Sequence, residues 1–168
     1  MTALFFVADS EPEQAKRNVA IPCPVSGKPV SLNTLSDPVL SSGVWGHGYA
    51  LKTSSSLIAS PLSCKVLRCD ALDYSIVVQA NNGLLFRIQV GINVHALMGE
   101  RCEFLVSKNQ KVKKGQTLFQ VSPPFLKQNG IDTICLVTVL NSSKLSAIVP
   151  TSLHHCRAMD DPLMTVYV

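Results

Sequence analysis

The sequence predicts an all-β domain, a barrel or sandwich of short strands. Two observations predict it. From Val19 onward, runs of a few Val, Ile and Leu residues alternate with Gly, Pro, Asn and Ser, the pattern of strands divided by turns. The segments Ile21-Pro22-Cys23-Pro24-Val25-Ser26-Gly27-Lys28 and Ile58-Ala59-Ser60-Pro61-Leu62-Ser63-Cys64-Lys65 also share the pattern I-x-x-P-φ-S-x-K. A repeat inside one β-domain suggests two similar strand-turn units packed so that they protect each other's edges.

The expected strands, in chain order, are 20–23, 30–32, 49–51, 57–60, 65–67, 75–79, 84–90, 117–121 and 136–139. Asn81-Asn82-Gly83 lies between two strong strands and reads as a hairpin turn, because Asn and Gly tolerate positive φ. Lys113-Lys114-Gly115 marks a second tight corner. Helix is scarce: 124–129 is expected to form one short turn or helix and 144–149 another. Residues 1–18 read as a polar lead-in behind the apolar tip Ala3-Leu4-Phe5-Phe6-Val7-Ala8, and 19–168 as a single domain. The tip lacks a basic flank and is followed by Asp9 and Glu11, so it makes a poor signal peptide.

Composition excludes several functions. The apolar share is 46% and the charged share 15%, a balance suited to a packed core rather than disorder. The net charge of +4 is scattered, and its densest group, Lys108, Lys111, Lys113 and Lys114, has no aromatic residue among its lysines. That argues against nucleic acid as a partner and for a solvated hairpin rim. No apolar stretch approaches the length of a membrane span. The six cysteines form no CxxC pair, so neither a metal nor a cofactor is expected; they read as buried thiols in a reducing cytoplasm. His154-His155 is a poor metal pair, since adjacent strand residues point to opposite faces.

Several motifs resemble the glucose-type EIIA family of the phosphoenolpyruvate-dependent sugar phosphotransferase system. Pro24-Val25-Ser26-Gly27 is similar to that family's opening strand-turn. Asp37-Pro38-Val39 with Gly46-His47-Gly48-Tyr49-Ala50-Leu51-Lys52 resembles its D-P-V…G-x-G-x-A-I-K block. Gly91-Ile92-Asn93 resembles G-I-D, and Val112-Lys113-Lys114-Gly115-Gln116-Thr117-Leu118 resembles V-K-x-G-D-x-L. Order and spacing match over roughly 19–168. The resemblance implies an antiparallel β-sandwich or barrel of the duplicated hybrid motif type, with short helical turns.

The resemblance also implies where the chemistry would sit, and the chain departs from the family there. In the strand Leu85-Phe86-Arg87-Ile88-Gln89-Val90, a family histidine is replaced by Gln89, and the phosphoryl-carrying histidine aligns with Tyr74. A phosphocarrier histidine offers a neutral imidazole nitrogen near pH 7 and forms a labile N–P bond. A phenol with a pKa of about 10 does neither, and a glutamine amide has no proton to exchange. Family members carry an acid at Asn93 and apolar residues at Asp70, Arg87 and His95. The docking face is thus expected to be rewritten around Val39, Leu40, Val44, Trp45, Asp70, Arg87 and His95. Burying Asp70 and Arg87 there costs desolvation unless opposite charge is supplied. The ordinary readings are a half-buried strand tyrosine for Tyr74, a satisfied polar residue for Gln89, and either core or contact residue for Trp45.

The expected function is a cytoplasmic, non-phosphorylatable EIIA-like module. It is regulatory rather than catalytic, and its partners are proteins of the phosphotransferase system or of sugar uptake and metabolism. The alternatives are an active phosphocarrier using His95 or His47, and an interaction protein unrelated to sugar.

Overall fold

The computed structural model describes residues 17–35, 37 and 45–168. The expected lead-in and apolar tip, and Val39, Leu40 and Val44, lie outside the described residues apart from Arg17 and Asn18.

All strand pairings are antiparallel and fall into three sheets. The largest has seven strands in the order β2 (Gly27–Val30), β3 (His47–Thr53), β11 (Ile134–Val139), β7 (Leu85–Val90), β6 (Ser75–Ala80), β5 (Cys64–Asp70) and β9 (Lys111–Val112). β1 (Asn18–Pro22), β13 (Pro162–Tyr167) and β12 (Ala147–Pro150) form a second sheet; β4 (Leu57–Ala59), β10 (Thr117–Gln120) and β8 (Glu103–Phe104) form a third. The arrangement is sandwich-like. It does not close as a barrel: β2 and β9 remain edges of the large sheet. Both edges are short, and β2 carries Pro29, which suits a position where one row of backbone groups needs no partner.

The repeat is visible in the hydrogen bonds. In the first unit Cys23 N donates to Asp161 O at 3.0 Å and Met159 N to Cys23 O at 2.8 Å. In the second, Ser60 N donates to Gln116 O and Gly115 N to Ser60 O, both at 2.8 Å. The aligned serines repeat too: Ser26 Oγ accepts from Ala158 N at 2.8 Å, and Ser63 Oγ from Lys114 N at 3.2 Å. Ala59 N joins the halves through Pro24 O at 3.1 Å. Where the second unit turns on Gly115 at φ 87°, the first turns on Met159 at φ 64°.

Most expected strands are present with shifted ends. Residues 30–32 are the exception: β2 ends at Val30, and Leu32 opens a 3-10 turn, Leu32–Thr34. The expected turn at 144–149 is instead mostly strand. A 3-10 turn, Ser142–Lys144, precedes β12, because Ala147 to Pro150 pair with β13 and bury Ala147 and Ile148. β8, β9 and β13 were not expected from sequence. The helix α1, Pro123–Gln128, begins on Ser122, whose Oγ accepts from Phe125 N at 3.3 Å, with prolines in its first turn where no N–H is needed. The Asn81–Gly83 turn is a three-residue hairpin loop, closed by Gly83 N to Ala80 O at 2.9 Å with Gly83 at φ 90°.

One core fills the space under the large sheet. Ile76, Val78, Phe86, Ile88 and Val90 point into it from β6 and β7. The alternate residues of these strands therefore face outward, and the candidate site lies there.

Candidate functional site

Register brings the outward residues together. Ser75 pairs with Gln89, which pairs with Leu136; Val77 pairs with Arg87, which pairs with Thr138. Ser75, Arg87, Gln89 and Thr138 thus share one face at the centre of the sheet, and all four are buried.

Arg87, only 6% exposed, is the hub. Its Nη1 donates to Gln89 Oε1, and its Nη2 lies 3.5 Å from both Asp73 Oδ2 and Ser75 Oγ. Its guanidinium carbon stands 4.4 Å from the centroid of the Trp45 ring. Burial lowers the pKa of Arg87, and Asp73 opposes that shift; the guanidinium remains a cation. A buried cation is tolerated when its charge and its donors are matched, and here a carboxylate, an amide, a hydroxyl and an aromatic face supply the match.

Gln89 has both ends of its amide engaged. Besides accepting from Arg87, its Nε2 donates to Gly91 O at 2.7 Å. Asp73 bridges two side chains: its Oδ2 meets Arg87 and its Oδ1 meets His95 Nε2. The His95 side chain is 71% exposed, so the Asp73 contact is its anchor at the rim. Asp70 holds the β5–β6 turn, where its Oδ1 accepts from Leu72 N at 3.1 Å and Asp73 N at 3.3 Å, and its Oδ2 pairs with Arg68 Nη2 at 2.8 Å. The feared desolvation of Asp70 and Arg87 is thus met within the chain.

Tyr74 sits apart from this group. Its φ is 51°, its side chain is fully buried in the main core, and its hydroxyl donates to Glu100 O. The expected half-buried ring is therefore wholly internal. Burial, then the neighbouring Cys102 and Glu100, pushes its pKa up to about 12. The Tyr74 main chain reaches β7 through Val90 N to Tyr74 O at 2.9 Å. Asn93, at φ 60°, lines a separate cleft of about 410 Å³ with Lys52 and Asp132. Trp45 is 39% exposed and so lies outside the core. His47 faces the opposite side of the sheet from Arg87, since Gly48 is the residue paired with Thr138. Burial lowers its pKa.

Among the described residues no three His, Cys, Asp or Glu side chains converge as metal ligands, and no helix is long and apolar enough to cross a membrane. All six cysteines are free. Sequence reasoning missed Asp73, Ser75 and Thr138. The alternation Arg87, Ile88, Gln89 was the available signal for a polar outer face; nothing in the sequence marked the Asp73–His95 contact.

Comparison with known proteins places this arrangement. The model of the family described as phosphoenolpyruvate-dependent sugar phosphotransferase system, EIIA 1, matches residues 19–145. The glucose-specific EIIA component of Staphylococcus aureus is 25% identical over 136 residues, covering 81% of this chain and 82% of that protein. The raffinose carrier protein of Pediococcus pentosaceus is 26% identical over 138 residues, and the lactose permease of Lactobacillus delbrueckii subsp. bulgaricus 29% over 154. The chain spans only 22% and 24% of those two carriers. The solved glucose permease IIA from Mycoplasma capricolum superposes with a TM-score of 0.75 at 20% identity, covering 89% of this chain and 96% of that one, which establishes the fold. The match across 19–145 shows that the chain belongs to the EIIA 1 family of the phosphoenolpyruvate-dependent sugar phosphotransferase system.

Proposed function

We propose that this chain is an EIIA-type module that does not carry a phosphoryl group and acts as a regulatory, protein-binding component in the cytoplasm. The observation that carries this reading is the fate of Tyr74 and Gln89, the residues that stand where the family resemblance puts its two histidines. The Tyr74 hydroxyl is spent on Glu100 O inside the core, with a pKa pushed up to about 12. The Gln89 amide is spent on Arg87 and Gly91. Neither presents a nucleophile to an incoming phosphoryl group. Gln89 and Arg87 keep hydrogen-bond donors suited to an anion, but these are already engaged by the chain's own acceptors. Trp45, Asp73 and His95 are left as a rim that a protein can contact. The partners of this reading are components of the phosphotransferase system, or sugar-uptake and metabolic proteins that family members contact.

Incubation with labelled phosphoenolpyruvate, enzyme I and the histidine phosphocarrier protein tests it. No acid-labile label is expected on this chain, and such label would overturn the reading. A second reading draws on one specific contact: Asp73 holds His95 Nε2 while leaving that side chain exposed, an arrangement that orients an imidazole. In that reading His95 is a replacement acceptor, and His95→Ala abolishes labelling.

A further inference from the structure

The large sheet ends in unneutralised positive charge. Lys65 of β5 and Lys111 of β9 stand directly opposite each other in the ladder, so their side chains leave the same face. Lys65 also pairs with Gln79, which shares a face with Val77 and Ser75 on β6. That is the face of Arg87 and Gln89. Lys108, Lys113 and Lys114 flank β9 in the adjoining turns, and all five lysines are exposed. None forms an ion pair among the described residues. Half-buried Val77 and Leu85 lie on the same face between the lysines and Arg87.

A single lysine on an edge strand is a common guard against edge-to-edge pairing, and that explains Lys111. It does not explain Lys65, which sits on the next strand in and faces Lys111 across the ladder. Like charges directly opposite cost stability unless something anionic covers them. The apolar residues next to the cations, and the lack of any aromatic among the lysines, suit a protein surface better than a nucleic-acid strand, which uses stacking platforms.

We infer that the β5–β9 end of this face is a docking surface for an acidic protein segment, with Lys65 and Lys111 as its central cations and Val77 and Leu85 as its apolar floor. The inference rests on the proposed protein-binding role and names the charge of the partner. Excess positive potential speeds encounter with such a segment and falls with salt.

The test uses the full chain and a fluorescein-labelled decaglutamate peptide, read by anisotropy at low salt. Saturable binding is expected, weakened about tenfold or more in Lys65→Glu/Lys111→Glu. Lys65→Glu alone is expected to raise the melting temperature by ~1–2 °C, because an opposite-charge pair replaces a like-charge one. Such a gain in stability with a loss of binding is not what a framework residue gives. Absence of peptide binding, equal affinity in the double variant, or a lowered melting temperature for Lys65→Glu would each overturn the assignment. Tighter binding of a short DNA duplex, or of phosphatidylglycerol vesicles, would overturn it in favour of those anions. Loss of peptide binding without phosphoryl labelling would sink this surface alone, whereas labelling with peptide binding intact would sink only the proposed inertness.

Discussion

Both faces of β6 and β7 hold buried residues, and these are buried in different ways. The inner face packs Ile76, Val78, Phe86, Ile88 and Val90 against the core with no polar group to satisfy. The outer face buries Ser75, Arg87, Gln89 and Thr138, and each of these has a hydrogen-bond partner. Among the described residues no buried side-chain N or O atom lacks one. A reactive site usually holds a nucleophile in reserve, exposed or poised beside a base. Here the polar face is organised as a closed network, and Tyr74, where the family resemblance puts a histidine, lies in the apolar layer. The difference teaches that the polar groups at the centre of this sheet are engaged by the chain itself, while the accessible groups, Trp45 and His95, lie at its rim.

Substitutions on the two faces break or sharpen that comparison. The largest loss is expected on the inner face, where Phe86→Ala removes a fully buried ring and costs about 3–5 kcal/mol by denaturant titration. Arg87→Ala on the outer face leaves Asp73 Oδ2 and the Gln89 oxygen without their Arg87 donor, at about 2–3 kcal/mol. Removing both ends of that bond, in Arg87→Met/Gln89→Leu, should recover part of the loss, because a buried network is costly to halve but not to replace. If the double variant is as unstable as the sum of its parts, the network reading is wrong.

Tyr74→Phe is expected to cost about 1 kcal/mol at neutral pH, the value of one hydroxyl bond. Its pH dependence is the sharper observable. The folded-state pKa of Tyr74 is raised to about 12 from an ordinary value near 10, so its neutral form is the one the fold favours. The stability that Tyr74 contributes is therefore fully present below about pH 10 and is lost as pH rises toward 12. The wild-type advantage over Tyr74→Phe should shrink across that window in parallel unfolding titrations; a constant difference would mean the phenol is exposed. The smallest effect belongs to Trp45→Ala. It removes one cation–π contact at the rim and should cost less than about 1 kcal/mol of stability.

Much of this was legible in the sequence where one stretch of chain decides its own structure. The strand around Leu85–Val90, the Asn81-Asn82-Gly83 turn and the short helix expected at 124–129 all act locally, and all three formed. The short I-x-x-P-φ-S-x-K repeat was a faithful sign of two equivalent hydrogen-bonded units. What was not legible depends on distant partners. Glu103–Phe104 and Lys111–Val112 are two-residue strands that exist because β10 and β5 offer ladders to them. Ala147–Pro150 is strand because β13 lies beside it. Within the site, Arg87 and Gln89 could be read as neighbours on one face, but Asp73 reaches them from a turn, and the Tyr74 hydroxyl finds its acceptor in the distant Glu100 O. No local pattern announces either.

The central claim is that the EIIA fold persists here without its phosphoryl chemistry. Its most direct measurement is the intact mass of the full chain after incubation with phosphoenolpyruvate, enzyme I and the histidine phosphocarrier protein, recorded at alkaline pH where a phosphohistidine survives. The account predicts an unchanged mass for the wild-type chain, with a genuine EIIA component phosphorylated in the same tube. A gain of one phosphoryl group that is lost on acidification would contradict it, and its absence in His95→Ala would then locate the acceptor.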